Sequence, residues 1–162
     1  MPGDNLVQYP DVVMDRAFTL SATPEAVWPW FVQLGKHRSG WYLPRSVERF
    51  IPPKRRALRT INLQLQNHKV GDTIPDWGGR NASFKLVISE PPKTLVYTSK
   101  RGKTSLSWSI NLQAQGNDKT RVHLRLRLAP VKRKWLAISA GGFVDVVTIA
   151  GLAAGLQERL DA

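Results

Sequence analysis

Cysteine is absent from the 162 residues, which excludes disulfides, thiolate metal sites and a cysteine nucleophile. Histidine is nearly absent: His37, His68 and His123 are the only three, and no H-x-x-x-H spacing sets two of them on one helix face. Neither G-x-S-x-G nor the phosphate-binding G-x-x-x-x-G-K-[ST] occurs, so serine-hydrolase and nucleotide-phosphate chemistry lack their parts. No metal and no organic cofactor is expected. The first thirteen residues have no basic start followed by an apolar run, so no signal peptide is expected. With the missing cysteines, that pattern suits a cytoplasmic protein. Acids are scarce as well, 12 against 24 Lys and Arg, for a formal charge of +12.

The positive excess is local. Residues 36–59 carry eight basic residues and the single acid Glu48. Lys93, Lys100, Arg101 and Lys103 form a second group, and Arg121, Arg125, Arg127 and Lys132–Lys134 a third. Such a field attracts nucleic acid, anionic lipid or acidic ligands, although a solvated, soluble surface is the plainer explanation. Hydrophobic residues at 42% and charged ones at 22% mark a globular chain, and no repeat or linker divides it, so residues 1–162 read as one domain.

Residues 12–20 predict a first strand with Met14, Phe18 and Leu20 on one side, a side that Arg16 interrupts. Thr23-Pro24-Glu25 then opens a helix, with Thr23 as cap and Val27, Trp30, Phe31 and Leu34 at helical spacing. Pro29 inside it removes one backbone donor, so packing rather than propensity must hold this helix. Residues 44–51 predict a second short helix burying Val47, Phe50 and Ile51. Residues 52–69 are ambiguous, since Ile61, Leu63 and Leu65 alternate in either a strand or an extended loop. Strands follow at 83–89, 94–99, 104–113 and 121–128. The last two alternate strictly: Leu106, Trp108, Ile110 and Leu112, then Val122, Leu124, Leu126 and Leu128, lie on a dry face, with Ser and Arg residues on a wet one. From Trp135 to about Leu160 the chain is apolar with one charge before the last turn, Asp145, and predicts a long helix whose start Gly141-Gly142 delays.

Two short helices after a first strand, an antiparallel run and a long C-terminal helix resemble the helix-grip fold of the START-like, or SRPBCC, superfamily. That superfamily includes birch-pollen-allergen-like proteins, lipid-transfer START domains and polyketide cyclases. TPEAVWPWFVQLGKHRSGWY (23–42) looks like the segment of a bacterial branch that reads T-P-E-x-V-W-P-W-L-V-Q-L-G-x-x-R-G-G-x-Y. KVGDTIPDW (69–77) and SEPPKTLVY (89–97) resemble its V-G-D turn and E-P-P strand start. Leu43–Ser46 and Arg59–Asn62 depart from the branch pattern. The resemblance implies an α+β fold, a curved antiparallel sheet gripping the long helix, with a cavity between them for a hydrophobic or aromatic small molecule of lipid- or polyketide-like kind.

Candidate ligand-binding residues are Trp41, Tyr42, Trp77 and Trp108, with Phe84, Leu86, Leu106, Leu124, Leu126, Phe143 and Val147 as apolar wall; plain core is the alternative for each. A cyclase- or dehydratase-like enzyme on the same scaffold would need Asp145, Asp15 or Arg16 acting with Tyr42. A third reading assigns Arg121, Arg125, Arg127 and Lys132–Lys134 to nucleic acid or an anionic membrane. Against nucleic acid, the aromatics of this hairpin fall on the opposite face. Against a membrane span, Asp145 sits mid-helix and the sheet would lose its lid. The helix is nonetheless apolar nearly all round, which predicts a covered outer side, most simply a homodimer through Ala150, Gly151, Ala154 and Gly155.

Overall fold

Strict alternation along residues 104–129 builds the centre of the molecule. In this computed structural model, which describes residues 1–77, 81–131 and 134–162 and only the backbone of 134–145, β5 (Thr104–Ala114) pairs antiparallel with β6 (Thr120–Ala129). Gly116 takes the left-handed conformation that the connecting turn requires (φ 68°). β1 (Val12–Leu20) adds to β6, while β4 (Thr94–Arg101), β3 (Ser83–Glu90) and β2 (Thr73–Pro75) extend the other edge. The order is β1-β6-β5-β4-β3-β2, antiparallel throughout.

The dry face is divided between two fillings. At one end α1 (Pro24–Gln33) supplies Val27, Trp30 and Phe31, and the last turns of α3 (Lys134–Leu160) supply Leu152 and Leu156. These pack on Leu20, Ile110, Leu112 and Val122. Thr23 caps α1 as expected, its hydroxyl accepting from Ala26 N–H at 3.4 Å. At the other end the described side chains leave a cavity, lined by Met14, Leu106, Leu126 and Leu128 among others. The helix of α3 starts at Lys134, so Gly141-Gly142 do not delay it.

Three expectations are corrected. First, α2 is only Arg45–Glu48; Val47 within it and Phe50 just after it are exposed, while Glu48 is buried at 5% exposure. The acid is buried because it is paired: Arg159 Nη2 reaches Glu48 Oε1 at 2.6 Å and Arg59 Nη1 reaches Oε2 at 2.6 Å. Residues 52–69 then run as a loop with short 3₁₀ turns at Pro53–Arg55 and Leu63–Leu65 rather than a strand.

Second, the outer face of the sheet is only partly wet. Ser107 and Ser109 are buried because a 3₁₀ turn at Asp4–Val7 crosses them, and Ser109 Oγ donates to Pro2 O at 2.8 Å. Arg125 Nη1 holds Asp4 at 2.9 Å, and Arg127 Nε donates to Val7 O at 3.1 Å. Two cations of the predicted phosphate-binding stripe therefore strap down the N-terminal segment, and the described part of that stripe is largely spent. Lys132 and Arg133 lie outside the described residues, as does the side chain of Lys134.

Third, Gly151 and Gly155 face the protein itself. A Cβ on Gly155 would come within 2.6 Å of the Leu43 backbone, and one on Gly151 within 2.8 Å of the Leu43 side chain. The small residues thus let the 43–44 segment lie against α3, leaving Val146, Val147, Ala150 and Ala154 on its exposed side. Among the described residues no helix is long and apolar enough to cross a membrane.

Candidate functional site

Among the described residues, the Leu106 end of the sheet holds a partly open cavity of about 330 Å³. Its floor is one cross-strand row, Met14–Leu126–Trp108, with Leu106, Leu124 and Leu128 alongside. Phe84 of β3 sits beside Trp108, ring centroids 5.7 Å apart, and Tyr97 stacks behind Trp108 at 5.7 Å and 30°. Trp41 and Trp77 meet edge to face at 5.9 Å on the rim, and Trp41 Nε1 donates to Thr148 O at 3.4 Å. That bond ties the rim to α3, whose Thr148 and Ile149 form the roof. Leu34, Gly35, Ile74 and Pro75 complete the wall.

Among the described residues three charged side chains reach this apolar space: Arg16, Asp76 and Arg101. Arg101 Nη2 donates to Asp76 Oδ2, and its guanidinium lies over the Phe84 ring, 5.6 Å from the centroid. Burial lowers the Arg101 pKa from its ordinary value. Lys36 Nζ also donates to Asp76 O at 3.3 Å, so this corner of the rim is a small polar knot. Among the described residues no group of acids and histidines could hold a metal ion.

The cavity therefore brings together Trp41, Trp77, Phe84, Leu106, Trp108, Leu124 and Leu126 of the sequence candidates, and Arg16 from the catalytic set. Four candidates lie elsewhere. Tyr42 is fully buried in the core, its hydroxyl donating to Trp30 O at 2.8 Å, and burial pushes its pKa up to about 12. Leu86 sits in the packed core, at the far end of the same row beyond Tyr97. Val147 is 56% exposed, because Thr148 and Ile149 are the α3 positions turned inward. Asp15 follows strand alternation to the outer face, where Arg125 Nε holds it at 3.0 Å and His123 contacts it. The side chains of Phe143 and Asp145 lie outside the described residues.

Sequence reasoning missed Arg101 and Asp76. The first had a signal: Arg101 is in phase with Leu95, Tyr97 and Ser99 on the dry face of β4. Asp76 had none, since nothing local says that a residue following β2 will meet a β4 arginine 25 positions on.

No protein-family model matches the chain, and no curated protein does, so the bacterial branch read from residues 23–42, 69–77 and 89–97 rests on those residues alone. Solved structures do match. The Aha1 dimer from Colwellia psychrerythraea aligns with a TM-score of 0.55 at 16% identity, covering 90% of this chain and 96% of that one. CalU16 from Micromonospora echinospora gives 0.51 at 18% identity, covering 92% and 83%. A Thalictrum flavum norcoclaurine synthase variant, solved with a transition-state analogue, gives 0.56 at 11% identity, covering 92% and 93%. At such identities the likeness is one of fold, and that fold is the helix-grip architecture of START-like, SRPBCC proteins.

Proposed function

We propose, with the helix-grip fold as premise, that the protein binds one hydrophobic or aromatic small molecule in the cavity between β-sheet and α3. The observation that carries this is the cavity among the described residues: about 330 Å³ walled by Leu, Met, Ile and four aromatic rings. That volume falls within the range of small-molecule pockets, roughly 300–1,000 Å³. Well-packed interiors leave few voids larger than a water molecule. The rings favour flat or aromatic ligands, and the Asp76–Arg101 knot gives the rim a polar handle for orientation.

Displacement of an environment-sensitive dye by fatty acids, sterols and aromatic polyketides tests the reading. Saturable displacement by at least one class is expected, and Leu106→Trp, which fills the floor, should abolish it. A protein that takes up neither dye nor any of the panel overturns the proposal. A cyclase- or dehydratase-like reaction has less support, because Asp15 and Tyr42 point away from the cavity and Arg16 alone of the described candidates reaches it.

Self-association is a second component of the proposal, on the exposed apolar side of α3 formed by Val146, Val147, Ala150 and Ala154. Ala150→Arg, rather than a change at Gly151, is the informative variant, since Gly151 packs on Leu43. Light scattering should report a dimer that this variant converts to a folded monomer; a monomeric unmodified protein at tens of micromolar overturns it.

A further inference from the structure

The charges of residues 48–59 divide into two sets. Arg159 and Arg59 are matched to Glu48, and Arg59 also meets Glu158 at 2.9 Å. Arg49, Lys54, Arg55 and Arg56 are exposed and form no salt bridge with a described acid. Arg56 folds back on its own loop, Nε donating to Ile51 O at 2.8 Å and Nη2 to Arg49 O at 3.4 Å. Neutral carbonyl acceptors leave its charge in place while drawing 49–51 and 56 into one protruding knob. On that knob Phe50 is 77% exposed, Val47 and Leu58 are exposed too, and the Arg49 guanidinium lies 4.6 Å from the Phe50 centroid.

We propose that this knob docks on the surface of an anionic lipid bilayer. Apolar tips among exposed cations, the nearby Glu48 being buried and already paired, are what such a surface selects: the tips enter the headgroup boundary while the cations meet the anionic heads. The buried Glu48–Arg159 pair fixes the base of the knob to α3, so little ordering remains to be done on contact. A nucleic acid fits less well. The knob offers one ring, one face of which lies under Arg49, and the aliphatic Val47 and Leu58 have no stacking role.

Sedimentation of the full chain with phosphatidylcholine vesicles containing phosphatidylserine, against phosphatidylcholine alone, tests the inference. Binding to the first only, weakened by added salt, is expected. Lys54→Gln with Arg55→Gln should lower partitioning roughly 25-fold, at about five-fold per cation, and Phe50→Ser about ten-fold. Arg121→Gln removes an exposed charge from the sheet and should leave binding unchanged. Each substituted side chain is exposed, and circular dichroism verifies the fold first. Failure to sediment with anionic vesicles overturns the inference. So does an equal loss in Arg121→Gln, or salt-dependent retention of an RNA oligonucleotide that outcompetes the vesicles and is lost in the knob variants.

Discussion

Glu48 and Arg159 stand 111 positions apart in the chain yet share one buried pocket, with Arg159 also donating to the carbonyls of Leu43, Leu58 and Gly155. Removing the carboxylate leaves a buried cation whose remaining acceptors are neutral. Glu48→Gln should therefore cost about 3 kcal/mol or more, read as a lower urea midpoint with unchanged slope. Gly155→Ala should cost roughly 1–3 kcal/mol by overpacking against the Leu43 backbone. His68 makes a different prediction. Desolvation first, then the Arg38 charge, lowers its pKa from 6.5, and its ring stacks on Tyr97 at 6.1 Å. Below that ordinary value the unfolded chain takes up a proton that native His68 resists. Its contribution is fully present above 6.5 and is lost as pH falls through the lowered folded value. Denaturation midpoints of wild type and His68→Phe should converge in slope above that window and differ within it. None of these contacts was legible from local pattern. Val47 and Phe50 were expected inside because apolar spacing was weighed, whereas a distant arginine decided which side of α2 is buried.

At the scale of elements, legibility followed regularity. β1, α1 and β5–β6 emerged nearly at their observed bounds, since period two, a Thr-Pro cap and apolar helical spacing act within a few residues. The N-terminal strap did not, because its anchor is long-range: Asp4 and Asp15 meet Arg125 across the outer face of the sheet. Desolvation opposes ionisation at both carboxyls. At Asp4 the N-terminal ammonium and Arg125 outweigh it, and at Asp15 Arg125 and His123 do, so both pKa values lie below 3.8. Their stabilisation is thus present above that ordinary value and lost as pH falls through the lower, folded ones. Asp4→Asn should flatten the acid limb of stability against pH, and an unchanged limb would rule out the strap as its source. The long C-terminal helix was legible as helix but not in orientation. Gly151-x-x-x-Gly155 suits packing against a second chain as well as against Leu43, and only the course of residues 43–44 distinguishes the two.

For the whole molecule, the division of one dry face into a packed end and an open end is the decisive feature. Alternation marked Leu106, Trp108, Ile110 and Leu112 alike as inward, but could not say that α1 covers Ile110 and Leu112 while Leu106 and Trp108 line a space. That depends on where α1 ends and α3 crosses, which no window of residues encodes. The same limit explains why Leu86 and Tyr42 belong to the core although their residue types suited a pocket. Native mass spectrometry of the gently purified protein asks whether the open end is filled. A chain carrying one apolar small molecule, released on unfolding and absent from Leu106→Trp, is expected. A bare chain that stays bare after incubation with fatty acids, sterols and aromatic polyketides would contradict it.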